Sequence, residues 1–358
     1  MHPHPLPLLP RAGRPGRPRR AARAHLPDPG APFSILSISG GGTSVLASAR
    51  ALAALETRFG WPLRRRFDLL AGTSAGGILA LAVAAAIPLH AFADAWAGAI
   101  GAIFSASPAP KSRTATLAAL AASLLRSRHD GVALRAFLAT AFPRPMRLHD
   151  LPARVLLPSI DLTQGAPRVL RTHHTPHSPH AAAWDALDAA LATSAAPVFL
   201  PIHRAYGSAW ADGGLYANAP DTLALMETIG PLEVDVRHVR MLSLGTAWSL
   251  PPVPGEGPPL AWGAKDWARG QRVLTTAMLA QQQAALEQCK AVLGRRYTRL
   301  EAQPTLEEGK ILSLDAADDR ARAALERIGQ DLCARVADSP ALEILARHHA
   351  PHPVFGPM

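Results

Sequence analysis

The feature that most constrains this chain is the run FDLLAGTSAGGILALAVAAA at residues 67–86. No charged side chain stands between Asp68 and Asp94, so the segment has to be buried, in protein or in lipid. A membrane-spanning helix needs about 20 mostly apolar residues. The stretch from Leu69 to Leu89 has that length, but Gly72, Thr73, Ser74, Gly76 and Gly77 interrupt it and Pro88 closes it. Only residues 78–87 are continuously apolar, which suits a buried helix in a folded domain. RRFDLLAG (65–72) therefore reads as a strand and GGILALAVAAA (76–86) as the helix after it. The polar cluster is the turn between them.

The same alternation occurs upstream. FSILSIS (33–39) reads as a buried strand ending in Gly40-Gly41-Gly42, and residues 43–59 read as a helix with Thr43 or Ser44 as N-cap. Strand-helix-strand-helix order predicts an α/β fold with a mostly parallel sheet flanked by helices. Further along, 89–150 reads as helical, with a basic amphipathic helix within 105–131 that suits a lid or an ordinary surface helix equally. Residues 153–162 and 167–173 read as a strand pair around Gln164-Gly165, 181–201 as a helix ending in a loop, and 239–246 as a strand. A Pro-rich loop (249–263) precedes a mostly helical stretch from 264 to about 348. We divide the chain into a Pro/Arg-rich, disordered arm (1–31), a catalytic domain (32–246) and a helical C-terminal extension packed on it (247–358).

Of the net charge of +10, half sits in the arm, where six arginines face Asp28 alone. The mild remainder favours an anionic membrane surface. Basic-aromatic interleaving is absent, so a nucleic acid polymer is not expected as a partner. Cys289 and Cys333 do not make a disulfide framework, and a reducing cytoplasm is the simplest compartment. The tract from His173 to His180 reads as a Pro-punctuated surface loop rather than a metal site, and neither metal nor cofactor is expected.

Gly72-Thr73-Ser74-Ala75-Gly76 is a G-x-S-x-G pattern between a strand and a helix. Small residues on both sides let strand and helix approach closely, and the turn exposes Ser74 Oγ at a helix N-terminus that favours negative charge. A serine hydroxyl is a weak nucleophile and needs a base. A tetrahedral oxyanion needs donors, and SISGGGTS (37–44) offers converging backbone amides without Cβ obstruction. A phosphate loop is excluded, because no G-x-x-x-x-G-K-[ST] is present and G-x-G-x-x-G breaks at Val45. In ADGGLYANAP (211–220), Asp212 is the candidate base, although Asp-Gly-Gly alone is also a good turn.

Together, G-G-G, G-T-S-A-G-G and D-G-G-L-Y-A-N-A-P in this order resemble the patatin-like phospholipase family. The likeness extends through FDLLAGTSAGGILAL, ALATSAAPVFLP and MLSLGT, over about residues 33–246, and more weakly through RRYTRLE (295–301). The resemblance implies a three-layer patatin-like fold and a Ser-Asp dyad. Ser74 would be the nucleophile and Asp212 the general base. Gly40, Gly41, Gly42 and Thr43 would form the oxyanion hole, with Gly72, Gly76, Gly213 and Gly214 shaping the turns. It implies calcium-independent hydrolysis of phospholipid acyl esters through an acyl-enzyme, with peripheral membrane contact.

One departure stands out. The family loop reads G-G-G-x-[RK]-G, whereas here Ser44 and Val45 replace the basic residue and the last glycine. A catalytically weakened module that binds lipid or a cyclic nucleotide is therefore an alternative. A Ser74–Asp212–His238 triad, allowed by chain order, is another. The length, the helical C-terminal part and IPLHAFADAWAGAIGAIF also resemble soluble bacterial members switched on by cyclic nucleotides. That makes a cyclic nucleotide a candidate activator, and a homo-oligomer a candidate assembly.

Overall fold

The computed structural model describes residues 26–104, 127–142, 145–174, 183–247, 262–268, 272–337, 339, 342–353 and 355. Most of the N-terminal arm, residues 105–126 of the stretch expected to form a basic helix (105–131), the histidine tract beyond His174 and most of the Pro-rich loop lie outside these residues.

The chain opens with β1 (Phe33–Ile38), whose six residues are all buried, as expected for a parallel strand covered on both faces. A short 3-10 turn leads into α1 (Val45–Phe59). Next come β2 (Leu69–Gly72) and α2 (Ala75–Ala84). All ten residues of α2 are buried, so it is apolar on every side. The uncharged run of residues 67–86 is thus one core strand and one core helix. No helix among the described residues is long and apolar enough to cross a membrane.

The chain continues through α3 (Leu89–Ile103), α4 (Val132–Ala141), the hairpin β3 (Arg154–Asp161) and β4 (Ala166–Arg171), and α5 (Ala186–Thr193). A second hairpin, β5 (His203–Ala205) and β6 (Ser208–Asp212), leads into α6 (Gly214–Ala217) and α7 (Asp221–Ile229). Then come β7 (Val239–Leu244), α8 (Ala264–Ala268), α9 (Arg272–Leu293), β8 (Tyr297–Leu300), α10 (Leu306–Ile311), α11 (Asp319–Ala337) and α12 (Glu343–Arg347).

The eight strands form one sheet in the order β5-β6-β3-β2-β1-β7-β8, with β4 also paired to β3. The run β3-β2-β1-β7-β8 is parallel, and the two hairpins make the other side antiparallel. Alternation along β1 splits the core between two faces. Leu36 and Ile38 join α1, α2, α3 and α11 on one face, whereas Phe33 and Ile35 join Leu225, Cys289 and Leu293 of α7 and α9 on the other. The result is helices, sheet, helices.

The stretch from 264 to about 348 is mostly helical, as expected, and within it β8 extends the sheet beyond β7 with Leu242 opposite Thr298. One sequence expectation changes. Ser44 occupies the N-cap of α1 but makes no capping bond, and its buried Oγ has no partner among the described residues.

Candidate active site

The arrangement of β3 brings Ser74 and Asp212 together. β4 covers one edge of β3 from Leu156 to Asp161. The other edge is shared by two strands. β2 runs along its first part, with Ala71 opposite Leu156, and β6 returns along its last part, with Asp212 opposite Ser159. β2 and β6 therefore point their C-terminal ends at each other across the short gap at Leu157 and Pro158. The chain leaves β2 into Ser74 and leaves β6 at Asp212, so the two side chains converge above that gap.

Local chemistry holds the junction. Thr193 at the end of α5 donates to the Pro158 carbonyl at 2.6 Å and accepts from the Ser74 amide at 3.2 Å. Thr73 donates to the Ala217 carbonyl at 2.6 Å, tying the elbow to α6. Ser74 adopts φ 57°, a left-handed conformation that costs a non-glycine residue free energy and recurs at nucleophile turns. The flanking glycines are required by close approach. A Cβ on Gly72 would lie 2.3 Å from the Gly76 carbonyl oxygen, and one on Gly76 would lie 2.5 Å from that of Ser39. Gly213 packs the same way against Pro158.

Asp212 is 2% exposed. Its carboxylate accepts from the Gly214 amide at 2.7 Å and faces the Ser74 hydroxyl closely enough for that group to favour its charged form. Burial pushes its pKa up to about 6, against the lowering effect of those two groups. Among the described residues, no histidine lines the cavity at this pair. His238 ends the turn that leads into β7. It thus stands at the N-terminal edge of the parallel strands, opposite the edge that carries Ser74, and the triad is corrected on that ground. Among the described residues, no cluster of three or more His, Cys, Asp or Glu side chains is arranged to hold a metal ion.

The glycine loop differs in detail from its sequence reading. The Gly40 amide donates to the Asn218 carbonyl at 2.9 Å, and the Thr43 amide donates to that of Leu314 at 3.0 Å. The Gly41 and Gly42 amides have no partner among the described residues, and both residues line the cavity beside Ser74. Of the four expected donors, these two are therefore unengaged in this arrangement. Leu314 belongs to the segment between α10 and α11. Its carbonyl sits where a Cβ on Gly42 would be, 2.0 Å away, while Thr43 Oγ1 donates to the Ser313 carbonyl at 3.3 Å. The next residue, Asp315, pairs with Arg128 at 3.0 Å and His129 at 3.4 Å. Residues 313–315 thus strap the glycine loop to the segment at Arg128.

Two further residues escaped the sequence reading. Arg299 of β8 donates to Ser39 Oγ at 3.0 Å and Ser243 Oγ at 2.7 Å, so a guanidinium lies directly beneath the glycine loop. The RRYTRLE stretch was the one sequence signal for it. Asn218, within the D-G-G-L-Y-A-N-A-P motif, is fully buried and lines the cavity. The cavity is about 40 Å³, room for a few water molecules, and its apolar wall includes Ile78, Trp96, Phe104, Leu134, Phe199 and Leu200.

A half-buried serine on a strained strand-to-helix turn, beside a buried carboxylate, glycine amides and an apolar wall, is an arrangement whose chemistry suits acyl transfer. The family model for patatin-like phospholipases matches residues 36–225, and the chain belongs to that family. It is a lipid acyl hydrolase. A cGAMP-activated phospholipase of Pseudomonas aeruginosa is 31% identical over 327 residues, covering 90% of this chain and 94% of that one. A cGAMP-activated phospholipase of Vibrio cholerae is 32% identical, covering 75% of this chain and 78% of the relative. One from Escherichia coli is also 32% identical, with coverage of 69% and 72%.

Proposed function

We propose that the chain cleaves fatty acyl esters of phospholipids with Ser74 as nucleophile and Asp212 as general base, through an acyl-enzyme and without calcium. The observation that carries this reading is that Ser74 and the buried Asp212 carboxylate, raised to about 6, face one cavity, with the hydroxyl close enough to favour the charged carboxylate. At pH 7 such a group is about nine-tenths ionised, yet basic enough to take a proton, near the optimum for a general base. Asp212 removes the Ser74 proton as Oγ attacks the ester carbonyl. The Gly41 and Gly42 amides donate to the developing oxyanion. Asp212 then passes the proton to the leaving lysolipid, and in the second half activates water against the acyl-Ser74 ester. Nucleophile, base and oxyanion donors are all supplied by the chain, which is why calcium has no part in the reading. The substrate implies peripheral docking at a membrane, and the free thiols Cys289 and Cys333 suit a cytoplasmic setting.

The test is lipidomic analysis of phospholipid vesicles with the wild type, Ser74→Ala and Asp212→Asn. Fatty acid and lysolipid are expected from the wild type alone. Full turnover by either variant would sink the dyad.

A second element concerns control. The Thr43 amide is occupied by Leu314, and a cavity of about 40 Å³ is far below the roughly 300 Å³ at the small end of ligand pockets. A fatty acyl chain needs it widened. Together with relatives described as cGAMP-activated, this supports a switched enzyme in which a cyclic dinucleotide releases the strap. Hydrolysis measured with and without a panel of cyclic nucleotides tests it. Equal rates throughout, with Ser74 active, would refute the switch and leave the dyad standing.

A further inference from the structure

We infer that Asn218 holds the water that hydrolyses the acyl-enzyme. The inference rests on the Ser74–Asp212 reading and adds a residue to its second half.

Asn218 is fully buried, and its amide orientation is set by its neighbours. Nδ2 donates to the Gly40 carbonyl at 3.3 Å and to Gln282 Oε1 at 2.7 Å. A backbone carbonyl only accepts, and this one also takes the Thr246 hydroxyl at 3.1 Å, so the nitrogen of Asn218 has to face it. The oxygen is thereby turned the other way. Oδ1 is buried and has no hydrogen-bond partner among the described residues. Leaving a buried acceptor unmatched is unfavourable, and such atoms gather at sites with another use.

Oδ1 packs closely against two glycines that lie beside the base and the nucleophile. A Cβ on Gly214 would stand 3.1 Å from Asn218 Oδ1 and 3.1 Å from Asp212 Oδ1. A Cβ on Gly40 would stand 2.5 Å from Asn218 Oδ1 and 3.2 Å from Ser74 Cβ. A side chain at position 40 would collide with Asn218 Oδ1, and one at position 214 with Met278 Cε at 2.8 Å, so both glycines let the orphan acceptor, the base and the nucleophile approach one another. These three groups line one cavity.

The chemistry of deacylation matches this set. A water in this cavity has two protons, and the cavity wall offers it two acceptors. It donates one proton to the Asp212 carboxylate and the other to Asn218 Oδ1, which leaves a lone pair for the acyl carbonyl carbon. As its oxygen bonds to that carbon, the first proton moves to Asp212. The tetrahedral intermediate then collapses, the bond from carbon to Ser74 Oγ breaks, and Asp212 returns the proton to Oγ. The second proton leaves on the fatty acid. Acylation does not use Oδ1, because Ser74 supplies its only proton to Asp212 directly. Asn218 therefore acts on one half-reaction.

Burst kinetics with a short-chain p-nitrophenyl ester separates the halves. Asn218→Ala is expected to keep a burst of about one p-nitrophenol per active site while the following steady rate falls about 100-fold, the scale of losing alignment at a reacting atom. Added methanol, which has one proton to place, should take a larger share of the acyl-enzyme than in the wild type. Thr246→Val removes the other side-chain bond to the Gly40 carbonyl and reports the structural role. It should slow burst and steady phase together, with the methanol share unchanged. Asn218→Asp keeps the acceptor and loses the bonds to Gly40 and Gln282, so its partitioning should stay near wild type, which also serves if the alanine variant does not fold. A burst and steady rate that fall in parallel in Asn218→Ala, or an altered methanol share in Asn218→Asp with none in Asn218→Ala, would overturn the assignment. Absence of any fluorophosphonate adduct at Ser74 in the wild type, with and without the panel of cyclic nucleotides, would remove the dyad and this inference together. A normal wild-type burst with unchanged partitioning in Asn218→Ala removes the inference alone.

Discussion

Replacing Asp212 by asparagine should abolish hydrolysis and at the same time stabilise the fold. The carboxylate is 2% exposed, and burial raises its pKa from 3.8 to about 6. In the unfolded chain the same group titrates near 3.8. Between these values the native state binds more protons than the unfolded state, so the contribution of this group to stability is present below about pH 4 and is lost as pH rises through 6. Two pKa units correspond to about 3 kcal/mol. The asparagine side chain has the same shape, keeps an acceptor for the Gly214 amide and carries no charge to desolvate. Urea unfolding of wild type and Asp212→Asn from pH 4 to 8 measures the effect. The difference should be small at pH 4, grow between 4 and 6, and level off above pH 6 at about 3 kcal/mol in favour of the variant. A variant that is less stable at pH 8, or a difference that does not change with pH, would refute the reasoning. The wild-type rate on a soluble ester should fall about tenfold per pH unit below about 6, as the base becomes protonated.

Other expectations follow from single contacts. Thr193→Val removes the acceptor of the Ser74 amide and leaves the Pro158 carbonyl unmatched, which should cost about 1–3 kcal/mol in chemical denaturation and lower kcat more than it raises KM. Asp315→Ala releases Arg128 and His129 from the strap, so the rate without any nucleotide should rise and the gain on adding an activator should shrink. An unchanged basal rate would mean that the strap does not restrain the loop. Arg299→Met takes the guanidinium from Ser39 and Ser243, and should reduce kcat on a soluble ester with vesicle binding intact, as read by flotation. Gly76→Ala sets a Cβ 2.5 Å from the Ser39 carbonyl oxygen, so soluble expression should fall.

The first half of the fold was legible because each of its elements carries its own signal. Apolar runs ending in glycine gave β1, β2 and their helices, and the three motifs gave the pairing of Ser74 with Asp212. β8 was not legible. It is four residues long and contains Arg299, a charged side chain that is half-buried where Ser39, Ser243 and Glu301 receive its nitrogens. The fate of the Thr43 amide was equally hidden, since the carbonyl that accepts it comes from Leu314, on a segment with no motif. The departure at Ser44 and Val45 becomes partly intelligible. Val45 is fully buried in the core at the start of α1, where an apolar side chain has a place, whereas nothing in the structure explains Ser44, whose hydroxyl is unmatched.

The shared edge of β3 has a consequence for how this chain can change. Ser74 and Asp212 are far apart along the sequence, yet their separation in space is fixed by two residues of a single strand, Leu157 and Pro158, between the ends of β2 and β6. Strand geometry acts as the ruler, and the intervening chain does not. Connections between α3 and α4, or between β4 and α5, can lengthen, shorten or be exchanged without altering the distance between the two groups. A one-residue insertion at Leu157, by contrast, would shift β6 relative to β2 and turn its side chains to the opposite face. Diversity in substrate entry and control can therefore accumulate in the loops, while the register of one buried strand stays fixed.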